Sequence, residues 1–233
     1  MSIEATLKKA NKAKAALQQL PEKQLQKMLQ ILAVAIMKNE AAVLKANQKD
    51  LAAQDPGNPK NDRLMLNHER LKNIADAIKN VATLPDPSGA LLAERILPNG
   101  LKLKKIAVPL GVVGAIYESR PNVTYDIAAL CLRSRNACVL KGSSDAQHTN
   151  KVSITIIQKV LKEFGLDAAT VTLLPPQREI VQELFTATKY IDVLIPRGSE
   201  GLINFVRQNS LVPVIETGAG VCHVYVEKSA ELD

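Results

Sequence analysis

Between residues 112 and 216, short apolar runs alternate with longer amphipathic stretches, and this alternation leaves few architectures open to the chain. The apolar runs fall at 112–117, 137–141, 171–174, 191–195 and 214–216, and a further one at 223–227. Between them, helical periodicity marks about 123–133, 146–164, 178–187 and 199–208. Apolar runs this short, each followed by a helix, predict parallel strands buried on both faces, with crossover helices covering the sheet. The expected fold class is therefore α/β, a doubly wound and mostly parallel sheet. Ligands of such sheets bind outside the carboxyl ends of the strands.

The first ninety residues are of another kind. Ile3, Leu7, Ala10, Leu17 and Leu20 follow helical spacing. Pro21 interrupts them and opens a second helix carrying Leu25, Met28, Leu29, Leu32 and Ile36. A loop at 54–62 and another helix over about 63–82 precede the turn-rich "LPDPSGA". Next, Asn99-Gly100 separates two arms of alternating character, a strong hairpin signal. The predicted organisation is a helical part at 1–91, a protruding β-hairpin at 92–108 and a Rossmann-like domain at 109–233.

Composition narrows the function. The net charge of +7 invites a nucleic-acid reading, but aromatic residues make up only 3% of the chain and no recognition motif accompanies the lysines. Anionic small ligands suit this charge better than nucleic acid does. No window approaches the ~18 to 20 consecutive apolar residues of a membrane span, and the N-terminus lacks the apolar core of a secretory signal, so the expected location is cytoplasmic. The three cysteines, Cys131, Cys138 and Cys222, and the three histidines form no metal-ligand spacing, and no metal is expected.

The strand ends carry the chemistry. "ESRPN" follows the first strand, "KGSSD" the second, "PRGS" the fourth and "ETGAG" the fifth. Lys141 brings an ammonium to one end, and Ser143 or Ser144 can cap the next helix. Pro196, Arg197, Gly198 and Ser199 place a guanidinium beside a helix N-terminus, an arrangement suited to phosphate or pyrophosphate. Glu216 emerges at the sheet edge as a general base, a ligand acceptor or a plain surface charge, and spacing does not choose among these. Neither G-x-G-x-x-G nor G-x-x-x-x-G-K-[ST] follows a strand, which argues against an ordinary Rossmann site and against an NTPase.

Taken in order, "VPLGVVGAIYESRPNVTYDIAALCLRSRNACVLKGSSDAQHTN", "IDVLIPRGSEGL" and "VPVIETGAGVCHVYV", with "DRLMLNHERL" and "LPDPSG" upstream, resemble the gamma-glutamyl phosphate reductase family of the aldehyde dehydrogenase superfamily. The resemblance implies NADPH-dependent reduction of L-glutamyl 5-phosphate to L-glutamate 5-semialdehyde and phosphate, in proline biosynthesis. It also implies a homo-oligomer formed through the 92–108 hairpin. Carried over to this chain, it implies cofactor contacts from Lys141, Ser143 and Ser144, from Pro196, Arg197, Gly198 and Ser199, and from Glu216, Thr217 and Gly218. Asn122 corresponds to an oxyanion-hole amide. The family's nucleophilic cysteine lies in an Arg-Pro-x-x-Cys-Asn stretch that these residues do not contain, so the catalytic domain is expected to lie outside this chain. A non-catalytic protein that keeps the fold and binds the cofactor is the alternative.

Ser144 stands where NAD-preferring relatives carry an acid, which leaves room for a 2′-phosphate. Ser143 and Arg135 replace glycines of the family pattern, and Val221 an asparagine. If the glycine at 135 has positive φ, Arg135 strains its turn by about 1 kcal/mol.

Overall fold

The computed structural model describes residues 2–59, 61–216 and 222–231. In chain order the elements are α1 (Glu4–Gln19), α2 (Glu22–Lys38), α3 (Glu40–Ala52), α4 (Asn61–Leu64), α5 (His68–Thr83), β1 (Leu91–Ile96), β2 (Lys102–Ile106), β3 (Val112–Tyr117), α6 (Pro121–Arg133), β4 (Ala137–Lys141), α7 (Gln147–Glu163), β5 (Val171–Leu173), α8 (Glu179–Phe185), β6 (Val193–Arg197) and α9 (Glu200–Asn209). The helix expected over 63–82 is two helices, because Asn67 caps α5 by accepting from the Arg70 N–H at 2.8 Å and so fixes a new start.

Four parallel strands form the main sheet in the order β5-β4-β3-β6. The chain therefore builds outward from β3 through β4 to β5, then returns to the other side of β3 to lay down β6. β3 is hydrogen-bonded along both edges, pairing Val112–Ile116 with Ala137–Lys141 and Val113–Tyr117 with Val193–Arg197. All six of its residues are buried. Such a strand has no polar side to show, which explains its unbroken apolar sequence.

Side-chain alternation along the strands divides the core in two. Val113, Ala115, Cys138 and Leu140 join a cluster built mainly with α2, α5, α6 and α7. Val112, Ile116, Ala137 and Val139 join another, with the start of α1, with α8, and with Val206 of α9. Helices thus cover both faces, and the doubly wound arrangement follows from the period of two. Each fully buried Leu or Ile in these clusters contributes about 1.5–3 kcal/mol relative to exposure.

Two arginines pin the N-terminal helices to the corner between α6 and β4. Arg133 reaches Glu22 at 2.6 and 3.0 Å and the Leu84 carbonyl at 2.8 Å. Arg135 has φ of 59°, the left-handed conformation. Its guanidinium meets Asp86 at 2.6 Å and the carbonyls of Gln18 and Leu20, at the end of α1, at 3.2 and 2.5 Å. The strain anticipated at Arg135 is present, and these contacts offset it.

Three expectations are corrected. The strand expected at 214–216 reduces to one bridge between Leu194 and Val214. Residues 222–227 carry no strand and are exposed, because a strand needs a neighbour for its N–H and C=O groups and none lies beside them among the described residues. The strand expected at 191–195 runs instead over Val193–Arg197, so Pro196 and Arg197 pair with Ile116 and Tyr117 rather than forming a turn. The hairpin β1-β2 forms as predicted, has no further strand neighbour among the described residues and is exposed on both faces. No helix among the described residues is long and apolar enough to cross a membrane.

Arg135 yields a test with two variants. Arg135→Gly relieves the backbone but loses the guanidinium contacts, and is expected to cost about 2 kcal/mol. Arg135→Ala keeps the strain and loses the contacts, so it should be less stable still, by about 1 kcal/mol. Urea denaturation ranks them; a glycine variant as stable as the parent would show that the contacts contribute nothing.

Candidate functional site

Reversal of strand order occurs between β3 and β6, and their carboxyl ends part as the chain leaves β3 for α6 and β6 for α9. Polar groups excluded from the buried strands emerge together there. The last register pair is Tyr117 with Arg197, and the Glu118 N–H still donates to the Arg197 carbonyl at 3.2 Å. Beyond that bond lies a cleft of about 610 Å3, lined by Glu118, Ser119 and Arg120 from the β3–α6 connection and by Val123 of α6. Ser143 and Asp145 after β4, Arg178 before α8, Arg197 at the end of β6 with Gly198 and Ser199 following it, and Arg63 of α4 complete it. This is the crevice that the topology of an open α/β sheet assigns to ligands.

Below the cleft the strand end is held by a buried network. The Tyr117 hydroxyl lies 2.7 Å from Thr124 Oγ1, which donates to Asn150 Oδ1 at 2.8 Å, joining β3, α6 and α7. Burial pushes the Tyr117 phenol up, out of reach of titration near neutrality. On the α3 side, Asp50 accepts from the His148 and Thr149 N–H groups at 2.9 and 2.8 Å and from the Thr149 hydroxyl at 2.6 Å, anchoring the start of α7.

The N-terminus of α9 takes an anion, as the sequence suggested, and that anion belongs to the chain. One carboxylate oxygen of Glu118 accepts from the Ser199 N–H at 2.9 Å, and the other from the Ser199 hydroxyl at 2.8 Å. The same hydroxyl caps the helix, accepting from Leu202 N–H at 3.4 Å. Gly198 lets the carboxylate come this near: a methyl group on it would stand 2.7 Å from Glu118 Cδ. Asp145, the other carboxylate of the cleft, accepts from the Ser119 hydroxyl. Four guanidiniums, those of Arg63, Arg120, Arg178 and Arg197, line the same cleft, and none makes a hydrogen bond or ion pair among the described residues. The cleft is therefore electropositive and has groups to spare for an anionic ligand.

The residues singled out in the sequence divide. Arg197, Gly198, Ser199 and Ser143 come together in the cleft. Ser143 accepts from the Asp145 N–H at 3.2 Å, capping the short 3-10 turn in which exposed Ser144 lies. Lys141 is buried at the end of β4, outside the cleft lining; burial first, then the charge of Arg178, pushes its pKa down. Pro196 is buried within β6. Glu216 pairs with Arg207 of α9 at 3.3 Å and lies apart from the cleft lining. Thr217 and Gly218 lie outside the described residues. Of the three charged strand-end residues, Arg197 lines the cleft, Lys141 is buried at the end of β4 within the influence of Arg178, and Glu216 is paired with Arg207.

Asn122 faces a second cleft, of about 430 Å3, between α5 and the start of α6. Its amide donates to Asp126 at 2.9 Å. Burial holds the Asp126 carboxyl above its ordinary value, against the Asn122 hydrogen bond and the charge of Arg197. Sequence reasoning passed over Arg63, Arg120, Arg178 and Asp145. Arg120, Arg178 and Asp145 follow strand ends and were legible as such, whereas Arg63 belongs to a helix far upstream and reaches the cleft only through tertiary packing.

Residues 1–233 match the aldehyde dehydrogenase family. A gamma-glutamyl phosphate reductase of Bacteroides fragilis is 50% identical over 228 residues, which cover 98% of this chain and 55% of that protein. Among solved structures, the gamma-glutamyl phosphate reductase of Thermotoga maritima superposes with a TM-score of 0.91 at 35% identity, over 100% of this chain and 57% of that one. The corresponding reductase of Saccharomyces cerevisiae gives 0.84 at 30% identity, covering 100% and 60%. The chain spans about half the length of the relatives it matches.

Lys141 makes a pH prediction. Its folded value lies below the unfolded 10.5, so the unfolded chain binds the proton more tightly. The charged lysine therefore costs stability at neutral pH, and that cost disappears as pH rises through the folded value towards 10.5. Lys141→Met should be more stable than the parent at pH 7, with the difference narrowing as pH climbs, in urea melts across that range. A variant less stable at pH 7 would contradict the assignment.

Proposed function

Because the chain belongs to the aldehyde dehydrogenase family, we propose that it supplies the nucleotide-binding half of a cytoplasmic NADPH-dependent reductase. The reaction converts L-glutamyl 5-phosphate, NADPH and a proton to L-glutamate 5-semialdehyde, NADP+ and phosphate, a step of proline biosynthesis. The observation that carries this reading is the cleft at the strand-order reversal, where the Arg178 and Arg197 guanidiniums make no hydrogen bond or ion pair among the described residues. Similarity to reductases named for glutamyl phosphate supplies the substrate.

The residues present fit a dinucleotide in charge and in place. Arg197 and Arg178 would hold its phosphates, with the Ser199 N–H and hydroxyl at the start of α9 as further donors. Ser144 presents no carboxylate against a 2′-phosphate, which favours NADPH over NADH. Lys141 would contact the cofactor from the end of β4, and Ser143 fixes the turn after that strand. Glu216, Thr217 and Gly218 remain in the proposal as the segment near the nicotinamide. When bound, the cofactor supplies a hydride. Asn122 supplies an amide N–H for a developing oxyanion, and Asp126 orients that amide by accepting its other proton.

None of the three cysteines is assigned as nucleophile. Cys131 and Cys138 are buried, and contact with Cys131 together with burial pushes the Cys138 thiol up. Cys222 is exposed but belongs to neither cleft lining. We assign the nucleophile to the family's Arg-Pro-x-x-Cys-Asn stretch, outside residues 109–233 of the nucleotide-binding domain. The hairpin at 92–108, which follows the helical part at 1–91, is read as a contact to a second copy. It exposes Leu92, Ile96, Leu101, Leu103 and Ile106, and a two-stranded ribbon of this kind is marginal alone.

Fluorescence titration tests the reading. NADPH should bind saturably, survive moderate salt and lose about tenfold in affinity in Arg197→Ala. Glu118→Gln, which removes the carboxylate competing at α9, should bind NADPH several-fold more tightly. Cys222→Ala should leave binding unchanged. Failure of NADPH to saturate, or steeply salt-dependent DNA binding instead, would end the proposal.

A further inference from the structure

The two clefts share a wall, and the wall is made of arginine. Arg63, from the short helix α4, and Arg120, from the turn between β3 and α6, each line both cavities. Other charged groups around the smaller cleft are engaged: Arg70 meets Asp62 at 2.7 Å and the Met65 carbonyl at 2.8 Å, and Asp126 accepts from Asn122. In the larger cleft Glu118 is held by Ser199 and Asp145 by Ser119. The carboxylates that would ordinarily neutralise a nearby guanidinium are thus committed elsewhere. The guanidiniums of Arg63 and Arg120 make no hydrogen bond or ion pair among the described residues.

Exposed arginines on a convex surface are simply hydrated. These two arise from segments nearly sixty residues apart in sequence and converge on one concave junction, where low-dielectric walls concentrate their field. A guanidinium presents a planar fork that matches two phosphate oxygens, and two forks facing one junction suit a dianion better than a single carboxylate. Asn122 lines the smaller cleft beside them.

We propose that Arg63 and Arg120 form a phosphate clamp at the junction of the two clefts, binding the phosphoryl group of an acyl phosphate and inorganic phosphate itself. The inference rests on reading the larger cleft as the nucleotide site, and it assigns these two arginines to the phosphoryl group rather than to the cofactor. The clamp distinguishes an activated acyl phosphate from the free acid, because only the former carries a dianion to fill it. Its position predicts that phosphate and dinucleotide bind together.

Calorimetry on the full 233-residue chain tests this with inorganic phosphate and NADPH as separate probes. Arg63→Ala, Arg120→Ala and the double variant should each weaken phosphate binding by about tenfold or more while changing NADPH affinity less than about threefold. Arg120→Lys, which keeps the charge but loses the fork, should fall between parent and alanine. Phosphate should bind equally well with NADPH already saturating. Because both side chains are exposed, unchanged thermal melts will show that the variants fold. Phosphate affinity indifferent to both substitutions, competition between phosphate and NADPH, or NADPH weakened as much as phosphate would each overturn the clamp. Phosphate bound through the two arginines with no NADPH binding would support the clamp and defeat the nucleotide reading instead.

Discussion

β3 is held on both edges and buried on both faces, and the site follows from that confinement. A strand with no free edge cannot place a charge along its length without leaving it unsolvated. Its polar residues are therefore forced past its carboxyl end, where Glu118, Ser119, Arg120 and Asn122 follow in one short run. The return of the chain to β6, on the other side of β3, sets a second polar run against the first. Register pairing of Tyr117 with Arg197 fixes how far apart the two begin.

Electrostatic order at the crevice comes from a division of partners. The carboxylates are tied to serines and backbone N–H groups, while the guanidiniums are left to solvent. Glu118 illustrates why this matters. Resting on the first turn of α9, it satisfies donors that would otherwise point into water.

The N-terminal helices contribute more than cover. Arg133 and Arg135 fasten them to the start of β4, and Asp50 fastens α3 to the start of α7. Through that attachment α4 delivers Arg63 to the cleft wall, so a helical segment upstream of the sheet becomes part of the cleft lining. Positive φ at Arg135 is tolerated because the side chain it carries serves this attachment.

The sequence alone determined the doubly wound sheet, the N-terminal helices, the hairpin at Asn99-Gly100 and the strand ends as the place for polar chemistry, because each depends on local periodicity or turn composition. Arg197, Gly198, Ser199 and Ser143 were legible in that way. What only the tertiary structure decided was which groups meet: that Glu118 occupies the α9 terminus, that Lys141 is buried within the influence of Arg178's charge, that Glu216 turns to Arg207, and that Arg63 and Arg120, nearly sixty residues apart in sequence, line the same clefts. Those choices depend on distances between elements far apart in sequence, and hydrogen-bond competition among side chains carries no periodic signal. The strand anticipated at 223–227 failed for the same reason, since apolar pattern proposes a strand but only a neighbouring backbone can complete one.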